Sequence, residues 1–242
     1  MTQWNRYMLQ PGLKQLLISK QKSAGDDIKS LNEDYSYKIL FLSSIIPDQS
    51  NARFLPTILI DDEHAELLIK RGLSKQKLVD MYNAEDAVMV GKGVFVNCLK
   101  YGSVDWKKAN ESIESIIELA HNISRSEIIQ APTVYPLNDG TYKVLTGHRR
   151  FLAMIYNFGV NGNGQFKVYE SQPVLTKLKQ FQENACREDL PQYGKLEAFM
   201  NARMELDTLS DVRKQLGQKK LTVREEASLL GISWEPMTII MC

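Results

Sequence analysis

Apolar residues fall into short runs and alternations up to about residue 170 and into helical spacing after it, the two periods that separate strands from amphipathic helices. The run Tyr37-Lys38-Ile39-Leu40-Phe41-Leu42 predicts a strand, ended by the turn cluster Pro47-Asp48-Gln49-Ser50-Asn51. Residues 1–35 before it read as a polar, mixed-charge arm with one short amphipathic helix around Leu13 to Ile18. Residues 57–112 alternate short helical and extended patterns, including Glu63 to Arg71 and Val88 to Cys98, with Gly91 and Gly93 as breakers. Ser112 to Ala120 then carries helical spacing, and Ile128 to Tyr135 is extended, Pro132 marking a strand start or edge. Asn138-Asp139-Gly140 is a strong hairpin signal leading into the strand Thr141 to Thr146.

Gly147 ends that strand, and a helix-like run follows through Phe158. Asn161 to Gly164 is expected to be a loop, Phe166 to Tyr169 a strand and Val174 to Cys186 a helix. From Gln192 onward no strand is predicted. Leu221 to Ser233 has the pattern of a helix-turn-helix entry: Thr222 and Glu225 suit a capping box, Ala227 is small where a second helix crosses, and Gly231 fits the turn. Trp234 to Cys242 is short and apolar, so the motif is read as partial, with Arg224 as its candidate DNA contact. The fold class expected is α+β: an arm over 1–35, a mixed-sheet domain over 36–190 with an insertion at about 57–112, and an all-helical segment over 191–242.

Composition changes this picture little. The chain has 242 residues, 43% hydrophobic and 24% charged, with a net charge of +1, ordinary values for a globular protein that give no whole-chain signal for a polyanion partner. Cys98, Cys186 and Cys242 have neither metal-ligand spacing nor an even disulfide framework, which points to a reducing compartment. No apolar run reaches the roughly 18 residues of a membrane span, and Met1 to Arg6 lacks the order of a signal peptide. A cytoplasmic protein with no membrane partner is expected.

Two segments carry the chemistry. Gly147-His148-Arg149-Arg150-Phe151-Leu152-Ala153 places a glycine at a strand-to-helix switch, where the backbone can approach a ligand. The N–H groups of the new helix and two arginines beside them favour a phosphate. Glu183-Asn184-Ala185-Cys186-Arg187-Glu188-Asp189 supplies a carboxylate, an amide and another arginine, enough for a magnesium ion and a phosphate. Together they read as a nucleotide site. Cys186 reads as a packing residue, and neither His64 nor His121 has neighbours that suggest a metal.

With these residues in place, the chain resembles the ParB/sulfiredoxin superfamily, and within it the N-terminal domain of ParB-like partition proteins. Ile45 to Arg53 resembles the family's first box, and Ile117 to Ile123 followed by Gln130 to Val134 its helix-then-strand element. Gly147 to Ala153 resembles the arginine box GERRxRA, and Glu183 to Leu190 the box ENxxRxxL. The resemblance implies a domain that binds a nucleoside triphosphate, CTP rather than ATP, with magnesium, in a homodimer that opens and closes on DNA. Gly147, His148, Arg149, Arg150, Asn184, Arg187 and Arg53 would then hold the nucleotide, while Glu183 and Asn184 would meet the metal and Glu183 would serve any hydrolysis. A partition ATPase is a further implied partner, and a nucleoid- or plasmid-associated place in the cytoplasm the implied location. This copy has His148 where the box has glutamate and Leu152 where it has arginine. The alternative activity on the same fold is a DNase or an ATP-dependent phosphotransferase. A sulfiredoxin-like reductase needs a thiol before the histidine, where this chain has Gly147.

Overall fold

A computed structural model describes residues 12–24, 34–48, 55–125, 130–185 and 192–232. It is a mixed α and β protein that divides into two compact units, one of residues 35–170 and one of residues 1–34 with 171–242.

The first unit is built on a five-stranded mixed sheet in the order β1-β8-β6-β7-β2. Its strands are β1 (Tyr35–Phe41), β2 (Ile45–Ile46), β6 (Thr133–Pro136), β7 (Tyr142–Thr146) and β8 (Asn163–Tyr169). β6 and β7 form the expected hairpin, with Thr141 N–H and Oγ1 both donating to Asp139 Oδ1 in the turn. One face of the sheet is covered by α4 (Val104–Arg125) and α5 (His148–Phe158). Ile113, Ile116 and Ala120 from α4 meet Phe151, Ala153 and Ile155 from α5 over Val134, Val144, Phe166 and Val168. That alternation along β6, β7 and β8 sends Tyr135, Leu145 and Tyr169 to the opposite face, where they form a small cluster of their own.

The insertion folds as a lobe with its own sheet, β3 (Thr57–Leu59), β4 (Val88–Gly91) and β5 (Val94–Asn97), in that order, with α2 (Asp62–Ile69) and α3 (Lys75–Tyr82). Ile60, Ala65, Leu78 and Met89 are fully buried in it, while Val88 and Val90 face the main core. The lobe is fastened to the end of α5: Asp62 accepts from Val160 N–H at 2.9 Å and Asn161 N–H at 3.3 Å. Phe95 stacks on Tyr156 at 5.5 Å.

One expectation fails locally. Asn163 and Gly164, read as loop, begin β8 and pair with Phe41 and Leu40. A Cβ at Gly164 would stand 1.9 Å from Met154 Cε, so a larger residue there would displace the end of the Met154 side chain. The glycine marks a close helix–strand approach, a second meaning that glycine has in strands.

The second unit is helical among its described residues: α1 (Leu13–Ala24), α6 (Thr176–Ala185), α7 (Gln192–Gln215) and α8 (Val223–Leu230). Ala202, Leu206, Leu209 and Val212 make the buried stripe of α7, against Leu13 and Leu17 of α1 and Leu178 and Phe181 of α6. The predicted capping box is present: Thr222 Oγ1 accepts from Glu225 N–H at 3.2 Å, and Glu225 Oε2 accepts from Thr222 N–H at 2.7 Å. Gly231 closes α8 at φ 70°, and Ala227 is buried as the pattern requires. The compact boundary falls near residue 170, so the second chemical segment belongs to the helical unit. It does so because α6 packs its apolar face on α7.

Candidate phosphate site at the start of helix α5

Strand directions bring the sequence boxes together. β2 runs parallel to β7, Ile45 opposite Tyr142 and Ile46 opposite Lys143, so both strands finish at the same edge of the sheet. β6 is antiparallel to β7 and starts there, Thr133 opposite Thr146. Pro47-Asp48, Gln130 to Pro132 and Gly147-His148 therefore gather around the N-terminus of α5. Ligands in α/β folds favour such an edge, beyond the carboxyl ends of parallel strands.

Gly147 makes the turn from β7 into α5 at φ 86° and ψ 27°, a region where a side chain is strained. A Cβ at this position would also meet Pro132 Cα at 3.0 Å. The backbone is thus pressed against the start of β6, and the helix N-terminus begins at the sheet edge.

His148, the first residue of α5, is buried, and its Nε2 accepts the backbone N–H of Asp48 at 3.1 Å. The expected phosphate ligand therefore ties the first box to the arginine box. Asp48 is buried too and pairs with Lys143 Nζ at 3.1 Å. Burial, and then the charge of Asp48, push the Tyr135 hydroxyl up to about 12, so Tyr135 stays neutral at any physiological pH.

The two arginines diverge. Arg149 Nη2 donates to Ser115 Oγ on α4. Arg150 Nη2 donates to Gln130 Oε1 at 2.7 Å, just before β6. Each guanidinium has a neutral partner on a neighbouring element, which helps to orient it. The arrangement suits an anion: a helix N-terminus with two cations on its first turn.

The other candidates belong to different parts of the chain. Glu183 lies half-buried on α6 in the helical unit, and its neighbour Gln182 donates to the Leu229 carbonyl of α8 at 2.6 Å. Asn184 belongs to α6, but its side chain, like Arg53 and Arg187, lies outside the described residues. Arg224 is exposed on the first turn of α8. Among the described residues no three His, Cys, Asp or Glu side chains cluster as metal ligands.

Several structural partners were not legible from the sequence. Asp48 reads as a turn residue, and nothing in its neighbourhood points to Lys143 or to His148, 100 positions away. Ser115 and Gln130 give no signal either, since a hydroxyl or amide on a predicted surface has many uses. Among the described residues no helix is long and apolar enough to cross a membrane. No protein-family model matches the chain, and no curated protein matches it.

Proposed function

We propose that this chain is a ParB-like, nucleotide-gated DNA-binding protein acting in partition or regulation of DNA. The convergence of Pro47-Asp48, Gln130 to Pro132 and Gly147 to Arg150 at the start of α5 carries the reading. Three segments that resemble separate family boxes share one sheet edge, and the helix N-terminus there suits a phosphate. In this reading the triphosphate of CTP sits at Gly147 with Arg149 and Arg150. The resemblance assigns magnesium ligands to Glu183 and Asn184, and magnesium would neutralise phosphate charge when bound. The capped helix α8, ending on the αL glycine Gly231, supports the helix-turn-helix part of the proposal, with Arg224 on the DNA side.

Calorimetric titration of the full chain with CTP, ATP and GTP in the presence of magnesium tests it. Wild type binds one of the three, CTP first, and Arg150→Ala weakens that binding by about tenfold or more. If wild type and Arg150→Ala behave alike with every nucleotide, the site is elsewhere and the reading fails.

A further inference from the structure

Between β5 and α4 one turn carries lysines and aromatic rings together. Residues 100–108 run Lys-Tyr-Gly-Ser-Val-Asp-Trp-Lys-Lys, three lysines against one aspartate. The whole chain is almost neutral at +1, so this is a local concentration of charge. Lys75, the first residue of α3, adds a cation beside it. Its Nζ donates to the Asn97 carbonyl at 2.9 Å, and Asn97 Nδ2 donates to the Trp106 carbonyl at 3.0 Å.

The turn is held from within. Ser103 N–H donates to the Lys100 carbonyl at 3.1 Å, with Gly102 at φ 76°. Ser103 Oγ then accepts from Trp106 N–H at 3.1 Å as α4 begins. Tyr101 stands on this turn, its ring centroid 4.7 Å from that of Trp106 and the planes inclined by 63°. Such an edge contact orients the ring, yet Tyr101 remains 84% exposed, the most exposed large hydrophobic residue among those described. Lys100, Lys107 and Lys108 are exposed too, and none of them forms an ion pair among the described residues.

We infer that this face binds single-stranded nucleic acid: an unpaired base stacks on Tyr101, and the lysines meet the phosphates on either side of it. Stacking on an oriented aromatic ring beside cations is how sequence-tolerant single-strand binding works, because every base has a π-face. A duplex keeps its bases paired inside and offers the ring nothing to stack on. An acidic peptide satisfies the lysines but gives the bare ring no planar partner. An anionic lipid surface calls for a longer basic face, and the exposed positions of α4 turn acidic at Glu111, Glu114 and Glu118. No residue of the α5 phosphate site takes part.

Fluorescence anisotropy of a labelled oligothymidine of about 16 nucleotides, titrated with the full chain at low salt without added nucleotide, tests the inference. A matching duplex and an oligouridine are run beside it. Wild type binds the single strands more tightly than the duplex. Tyr101→Ala weakens single-strand binding by about tenfold, and Tyr101→Phe, which keeps the ring, stays near wild type. Tyr101 is exposed, so neither change disturbs the fold, as far-UV circular dichroism verifies. Replacing both Lys100 and Lys107 by alanine lowers the slope of log Kd on log salt by about 1.4, the loss of two phosphate contacts on a single strand. Wild type that binds no single strand overturns the inference, as does Tyr101→Ala binding like wild type. Displacement of the strand by polyglutamate as readily as by unlabelled strand overturns it as well, and makes the face a dock for acidic protein. Arg150→Ala is expected to bind the oligomer like wild type, and since no nucleotide is present, each of these failures leaves the phosphate-site proposal standing.

Discussion

The backbone N–H of Asp48 donates to Nε2 of His148 at 3.1 Å, joining two residues 100 positions apart in the chain. Acceptance at Nε2 puts the proton of the neutral ring on Nδ1. Lys143 braces the same short segment from β7 through the Asp48 carboxylate. His148 therefore fixes where β2 ends relative to α5.

His148→Ala removes a buried ring and leaves a buried N–H without its acceptor, at a cost of roughly 2–3 kcal/mol. Arg150→Ala removes a bond to Gln130 near the surface and costs less than about 1 kcal/mol. Urea denaturation followed by circular dichroism separates the two. Equal losses would mean that the Asp48 bond contributes nothing specific to stability.

Gly147 and Gly140 have nearly the same positive φ, 86° and 82°, in different surroundings. A Cβ at Gly140 meets nothing within 4 Å, whereas at Gly147 it meets Pro132 Cα at 3.0 Å. Gly140→Ala thus reports backbone strain alone, about 1 kcal/mol. Gly147→Ala adds displacement of the β6 entry and is expected to cost about 1 kcal/mol more. Thermal unfolding of both variants checks the difference. Matching losses would show that the contact with Pro132 relaxes freely.

How much of this was legible depends on whether a signal is local. The hairpin at Asn138-Asp139-Gly140, the switch at Gly147, the helix to Phe158 and the capping box at Thr222 and Glu225 each rest on chemistry within a few residues. The structure has them close to where the sequence placed them. The insertion was legible only as fragments, because β3 has three residues and its parallel pairing with β4 is set by tertiary contact. Gly164 was misread because a glycine that admits Met154 looks the same in sequence as a glycine that makes a turn. The Asp48 bond and the burial of Glu205 are long-range facts with no local signature.

Asp62 carries the attachment of the insertion. Its two carboxylate oxygens accept from Val160 and Asn161, and Gly159 must be glycine beside it, since a Cβ there would lie 2.1 Å from Asp62 Oδ1. Asp62→Ala leaves two N–H groups without that acceptor and is expected to cost about 1–3 kcal/mol. Hydrogen exchange at the Val160 and Asn161 amides should accelerate in the variant. Asp62→Asn, which keeps one acceptor oxygen, should fall between wild type and alanine. Unchanged protection at both amides would mean that the lobe is held by its apolar contacts alone.

Glu205 sits in the buried stripe of α7, where apolar residues are expected, and reaches across to the first turn of α6. Its Oε2 accepts Leu178 N–H at 3.0 Å, and Thr176 Oγ1 lies 3.4 Å from Oε1. This is a helix cap supplied by another helix, on the element that carries Glu183. Burial dominates over the hydrogen bonds from Leu178, Lys177 and Thr176 and pushes the carboxyl from 4.5 up to about 7. A folded pKa above the unfolded one means that the native state holds more protons between the two values, so stability falls as pH rises through that window. The helical unit should therefore be most stable below about pH 4.5 with respect to this group, losing about 3 kcal/mol by the time pH passes 7. Glu205→Gln keeps an acceptor for one N–H and removes the titration. Denaturation midpoints of wild type and variant at pH 5 and pH 8 should converge for Glu205→Gln and separate for wild type, the lower value at pH 8. A wild-type midpoint that rises with pH in step with the variant would show that the hydrogen bonds, and not burial, govern this carboxylate.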